Sequence, residues 1–431
     1  MRILISRWWL LPVWTGVLAV GAQEPARLWM SGEGTSVEAT LIDADAERAR
    51  LRMSDGSVTM VPRTRLSEDD AVYVQAWLKR RPLKLALPDL LGVPSVDFKV
   101  ETVLEDPAKG RFVYRTPHFE FESQARLAGS VVREVGRSFE ATFELARALP
   151  WDVQPRPAEG THFRASLFKE LDAYYKAGGL PGSAGSYFTH RKRLMVPFES
   201  IGLREVGNAF RMADDFDTHV LVHELTHQMM HFWLPHLPQW VVEGTAEYTG
   251  NLPLKNGRFR TSEARNGLRE YMEFRKRRLV GGLPEPYPLD KLFHMPADEW
   301  NNLIATDNHK TQRLYMTSYL LVYYFMHLDG KGDGERFARY MRASSGPCRQ
   351  IEAYERALAE FKRRPEVKVH PDGSFQHPKH LEPPAKPREL FFGAAREKLI
   401  IENLQVLLDE RSEAQLMDEV RGAFKELGIR F

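Results

Sequence analysis

The sequence predicts a multidomain chain of mixed class: a small all-β barrel, then an α+β domain, then a C-terminal helical segment. Three observations carry this reading. At 431 residues the chain exceeds what one ordinary core organises, so two or three units are expected. Residues 27–62 alternate apolar and polar side chains between turn residues, the period of half-buried strands. Beyond residue 110 stretches of strand period and of helix period interleave. With 43% hydrophobic and 11% aromatic residues, the composition is that of a globular protein with ample core material.

The opening "MRILISRWWLLPVWTGVLAVGAQEPA" stands apart. Arg2 and Arg7 give it a positive start, Trp8 to Val20 an apolar run, and "VGA" small residues before Gln23. Residues 1–22 therefore read as a secretory signal, with an uncleaved anchor helix as the alternative, and place the chain outside the cytoplasm, secreted or periplasmic. No later segment is long and apolar enough to span a bilayer. Loss of the two arginines takes the net charge from +2 to zero, which argues against nucleic acid or an anionic membrane surface as partner. The single cysteine, Cys348, excludes an intramolecular disulfide, so stability must come from packing and from any bound metal.

Residues 23–80 form the expected barrel. "TSVEATLI" and "RARLRM" alternate, Ser54-Asp55-Gly56 is a hairpin turn, and "LSEDDAVYVQAWL" is a short helix capped by Ser67. The segments "RLW", "VEATLIDAD", "DGSVTMVP" and "RLSEDDAVYV" resemble the Sla-type homology domain, an SH3-like barrel. That resemblance implies a spacer or a module binding a protein or envelope ligand, without chemistry of its own. A proline-bearing linker, 81–110, follows.

Residues 111–345 make up the α+β domain and 346–431 a connector with C-terminal helices. "RFVYRTPHFEFES" reads as two strands and Leu127 to Leu149 as a helix. "THFRASLFKELDAYYKAGG" is a strand then a helix, and "GSYFTHRKRLMVPF" a strand or hairpin. "HRKRL" within it is most simply a charged strand edge. "RLYMTSYLLVYYFMHLDG" is a strongly apolar helix, and the last forty or so residues form two amphipathic ones.

Chemistry concentrates in "DTHVLVHELTHQMMHFWLPHLPQWVVEGTAEYTG". His223 and His227, four apart on a helix, project their rings from one face, which suits two bonds to one zinc ion. Glu224 lies beside them without being a ligand. Pro235 and Pro238 bracket a turn, and "QWVVEGTAEYTG" folds back as a second helix that brings Glu243 to the metal as a third ligand. A fourth position stays open for water. Glu247, one turn on, is read as accepting a ring N–H from a ligand histidine. Spacing alone does not separate the two glutamates, so their exchange of roles stays open. His219 and His231 flank the pair at helical spacing and read as packed residues, although His231 could also face the metal. His236, His190 and the histidines near Lys379 read as solvated loop residues.

"HELTH" followed by "WVVEGTAEY" resembles the gluzincin metallopeptidases, the group that includes thermolysin and the aminopeptidase N-like enzymes. The resemblance implies a zincin-like fold, one Zn2+, peptidase activity with Glu224 as the catalytic base, and Glu243 of the "EGxA" box as third ligand. "YMTSYLLVYYF" is similar to the apolar helix on which those aminopeptidases carry an oxyanion-binding tyrosine, here Tyr315, with Tyr319 the runner-up and a plain core aromatic the alternative. Their amine-gripping glutamate has no counterpart in "AGSYFTHRKRLMVP", which carries no acid and favours endopeptidase over aminopeptidase activity. Two other classes stay in view: a non-catalytic protein whose zinc ties helices together, and a zinc hydrolase of another amide or an ester.

Overall fold

A computed structural model describes residues 24–431 apart from 45–46, 81–82, 84, 97, 181, 208, 214–216, 279–282 and 371–372. The signal sequence read over 1–22 lies outside the described residues. The chain is mixed α/β, with a small antiparallel sheet at the N-terminal side, helices at the C-terminal side and three main apolar cores.

The first core belongs to strands β1 (Arg27–Met30), β2 (Ser36–Ala44), β3 (Arg48–Met53) and β4 (Val58–Pro62), followed by helix α1 (Glu68–Arg80). The strands pair in chain order as one antiparallel sheet, and no closed barrel forms among the described residues. β1 and β4 remain edges; the chain just beyond them meets through a Ser31–Leu66 bridge and a hydrogen bond from the Ser67 amide to the Met30 carbonyl, without pairing the two strands. Helix α1 supplies the second layer instead: Val74 and Trp77 bury against Trp29, Leu41, Ala49 and Leu51. Ser67 Oγ accepts from the Asp70 amide, as a cap should. Gly56, at φ +81°, makes the hairpin turn.

Strands β5 (Leu90–Gly92) and β6 (Glu101–Asp106) lie within the stretch read as a linker. Then come β7 (Arg111–Arg115), β8 (Phe119–Ser123), α2 (Gly129–Ala148), β9 (Phe163–Phe168), α3 (Leu171–Lys176), β10 (Ser186–Phe188), β11 (Arg193–Pro197), β12 (Leu203–Val206) and β13 (Ala209–Met212). Six of these build one sheet in the order β10-β11-β9-β8-β7-β6. β8, β9 and β11 are mutually parallel, and β10 runs antiparallel along the edge. Alternation sorts its faces. Phe119, Phe121, Ala165 and Leu194 pack on α2, while Glu120 and Glu122 pair with Arg115, Arg164 and Arg111 on the other side. The charged run expected at a strand edge sits elsewhere. Arg193 starts β11, an inner strand, and Arg191 and Lys192 form the turn before it.

The helical part follows: α4 (His219–Met229), α5 (Gln239–Gly250), the short strands β14 (Leu254–Lys255) and β15 (Arg258–Arg260), then α6 (Ala264–Arg278), α7 (Leu289–Leu292), α8 (Ala297–Thr306), α9 (Asn308–His327) and α10 (Glu335–Lys362). The minor hairpin β16 (Lys368–Val369) and β17 (Phe375–Gln376) leads to α11 (Arg388–Phe391), α12 (Ala394–Leu408) and α13 (Glu413–Glu426). β15 pairs with β5, stitching the linker stretch to this part. The largest core joins α5, α9, α10, α12 and α13. No described helix is long and apolar enough to cross a membrane.

The N-terminal sheet is fastened to this core by charge. A register shift between Leu41 and Asp43 turns Asp43 away from the sheet's apolar face. There its carboxylate, 1% exposed, accepts from Arg339 at 2.7 and 3.0 Å and from Arg342 at 3.1 Å, both on α10. The even-numbered arginines of β3 face α12: Arg48 meets Asp409, Arg50 the Gln405 carbonyl and Arg52 Glu402.

Candidate metal centre

Helices α4 and α5 pack against each other, and α5 lies on α9. Their closeness depends on one glycine. A Cβ at Gly244 would stand 2.5 Å from the Ser318 carbonyl oxygen, so the small residue between Glu243 and Thr245 lets α5 settle onto α9. The Asp217 carboxylate accepts from the His219 amide and starts α4, while Thr218 gives no side-chain cap.

Two overlapping donor groups result: His223, His227 and Glu243, and His219, His223 and Glu247. In the first, His223 Nε2 and His227 Nε2 are 3.1 Å apart, and Glu243 Oε2 is 3.3 Å from one and 3.6 Å from the other. Two zinc–ligand bonds of about 2.0–2.1 Å at a tetrahedral angle place their donors about 3.3 Å apart. Three lone-pair atoms thus converge at the separation one small cation imposes. Glu243 Oε2 is buried and makes no hydrogen bond, as expected of an atom aimed at an ion. The donor set fits zinc.

The second group is better described as support for the first. Glu247 Oε1 lies 3.5 Å from His223 Nδ1, and its Oε2 lies 3.3 Å from His219 Nε2. One carboxylate therefore faces the far nitrogen of His223 while a second histidine balances its charge. Burial lowers the basicity of His219, but Glu247 outweighs it and raises the pKa above the ordinary value. Arg275 acts on both His219 and Glu247, and a cation there disfavours a second metal ion. Reading His219 as merely packed undervalued it. Its i−4 spacing from His223 was the available signal.

Electrostatics agree with an anion at Glu243. Burial would raise its carboxyl, yet His227 and His223 hold it far below the usual carboxylate range. Tyr315, on α9, stacks beside His223 with ring centroids 6.4 Å apart. The charge of Glu243, then burial, raises the Tyr315 phenol well above its ordinary value, so it stays an O–H donor. Tyr319 instead sits in the aromatic core, 1% exposed, against Tyr271 and Tyr323.

Glu224 is half-buried and turned to the edge strand: its Oε2 accepts from the Tyr187 amide at 2.7 Å. No spacing rule foretells this contact, because a backbone amide has no side-chain signature. His231 does not join the donor atoms. Its Nδ1 meets the Tyr187 hydroxyl at 2.8 Å and its Nε2 meets Glu355 at 3.0 Å. His236, expected to be solvated, is 1% exposed. The turn that carries it is held against α12 by Arg396, which donates to the Pro235 and Leu237 carbonyls.

No protein-family model, curated protein or solved structure matches this chain. The geometry of α4, α5 and α9 supports a candidate metal site built on His223, with Glu224 and Tyr315 beside it.

Proposed function

We propose that this chain is a zinc-dependent peptidase. One observation carries the reading: three donor atoms 3.1–3.6 Å apart stand next to a carboxylate that is not one of them. A purely structural site has no use for Glu224 or for an open fourth position. His223, His227 and Glu243 would hold the ion, with Glu247 and His219 orienting His223. When bound, zinc supplies Lewis acidity, which makes water nucleophilic near neutral pH and polarises a carbonyl.

The chain's own groups do the rest. Glu224 accepts the proton of the attacking water and delivers it to the departing amine. The Tyr187 amide fixes one oxygen of that carboxylate at 2.7 Å, leaving the other free for the proton. Tyr315, kept protonated, donates to the oxygen that gains charge. Cleavage within chains is proposed over removal of N-terminal residues, because residues 184–197 carry no carboxylate to grip a free amine.

The test pairs metal analysis with cleavage of a peptide library by the protein lacking residues 1–22. One zinc per chain and cleavage are expected, and Glu224→Gln should keep zinc while losing turnover. Unchanged hydrolysis in Glu224→Gln rejects the mechanism. Zinc with no cleavage of any peptide favours the structural-zinc reading, and cleavage confined to esters or other amides moves the substrate class.

A further inference from the structure

The edge strand β10 is three residues long, paired on one side only, and yet it fixes Glu224. Something must hold it against α4. The Tyr187 side chain points to the helix-bearing face of the sheet, in register with Leu194, and its hydroxyl meets His231 Nδ1 at 2.8 Å. His231 is 4% exposed, and its Nε2 meets Glu355 Oε2, on α10, at 3.0 Å. A carboxylate can only accept, so Nε2 carries a proton toward Glu355, while Nδ1 shares a hydrogen bond with the Tyr187 hydroxyl.

Glu355 holds the hairpin at a second point. Its Oε2 lies 3.4 Å from Nζ of Lys192, in the turn joining β10 to β11. Both the middle of β10 and the turn after it are thus tied to one carboxylate of α10. Burial would raise the Glu355 carboxyl, but His231 and Lys192 together hold it below its ordinary value.

We propose that Glu355, His231 and the Tyr187 hydroxyl are positioning residues, a hydrogen-bonded relay from α10 that seats the Tyr187 amide on Glu224. This rests on the hydrolase reading for its kinetic consequence, though not for the relay. None of the three belongs to either donor group. Freed from the relay, β10 can drift from α4, and Glu224 loses the donor that fixes its rotamer. The binding of substrate is little changed while the proton transfers slow.

Two readouts on the protein lacking residues 1–22, the first taken without added metal and the second with Zn2+ supplied, separate relay from hydrolysis. The first is the amide resonance of Tyr187 in protein labelled with 15N-tyrosine, assigned by its loss in Tyr187→Phe. A carboxylate acceptor shifts it downfield. It is expected to move upfield in Glu224→Gln and again in Glu355→Ala, and to stay in Glu352→Ala, a substitution one turn away on the same helix. The second is kinetic. Glu355→Ala and Tyr187→Phe should each lower kcat about tenfold with KM changed less than about twofold, and the double variant should be no worse than the poorer single one. Glu355→Gln keeps an acceptor for Nε2–H and should recover to within about threefold of wild type. A Tyr187 amide that ignores Glu355→Ala in a folded protein overturns the relay, as do kcat losses that multiply. If the wild type cleaves nothing, the amide arm still decides whether α10 holds β10 on Glu224, and only the hydrolase reading falls.

Discussion

Which glutamate binds the ion can be settled by comparing Glu243→Gln with Glu247→Gln. A four-ligand zinc site is worth about 10–16 kcal/mol, roughly 3 kcal/mol per donor, so losing one donor costs about a hundredfold or more in affinity. In the proposed site Glu243 Oε2, at 3.3 and 3.6 Å from the two ring nitrogens, would be such a donor, and an amide oxygen replaces it poorly. Glu247 faces His223 Nδ1 at 3.5 Å, a supporting contact whose removal typically costs 10- to 100-fold. Glutamine keeps an oxygen there, so about tenfold is expected. His219→Gln removes only the partner of that partner and should stay within about threefold of wild type. The assay is competition of the metal-free protein against a chromophoric chelator at fixed pH and salt. Were Glu247→Gln to weaken zinc more than Glu243→Gln, the two carboxylates have exchanged roles. A His219→Gln loss as large as that of Glu243→Gln would place the ion in the other donor group.

Tyr315→Phe should lower kcat about a hundredfold with zinc content unchanged, and a loss under about threefold marks it as a core aromatic. Asp43→Ala removes the buried carboxylate that accepts from Arg339 and Arg342 at the junction of β2 and α10 and should cost about 3–5 kcal/mol in urea unfolding, whereas a loss under about 1 kcal/mol means the cluster gives no net stability. Burial, helped by Arg396, lowers the His236 pKa to about 4. The unfolded chain therefore takes up the proton first. Stability from this group is complete well above pH 6.5 and is lost as the pH falls toward 4, by about 2.5 kcal/mol at pH 4.5. In His236→Phe the fall in urea midpoint between pH 7 and 4.5 should shrink accordingly, and an unchanged fall would show that other groups govern acid unfolding.

What the sequence could disclose follows the range of the physics involved. The spacing of His223 and His227 shows that they share a helix face, and the turn between Pro235 and Pro238 returns α5 along α4, because both are local consequences of helix geometry. Barrel closure was not legible. It depends on whether β1 meets β4, strands 28 residues apart from the end of one to the start of the other, and in the fold α1 covers the sheet's apolar face. His236 misled for a related reason. A histidine between prolines reads as exposed, and Arg396, some 160 residues later, helps seal the turn over it.

The same distance rule explains why support for the site was less visible than the site. Glu355 lies 124 residues from His231, and Tyr187 contributes to Glu224 through its backbone. Helix α10 gathers these remote contacts. Arg339 and Arg342 in its first half bind Asp43 of the N-terminal sheet, and Glu355 in its second half binds His231. Arg339 and Glu355 are separated by 16 positions, about 24 Å along a helix. A module free to serve as a spacer would present its charged strand face to solvent. Here Arg48, Arg50 and Arg52 spend that face on α12, and Asp43 is committed to α10. The sheet and the candidate site are thus both in contact with α10, and the strand face that meets α10 and α12 is covered.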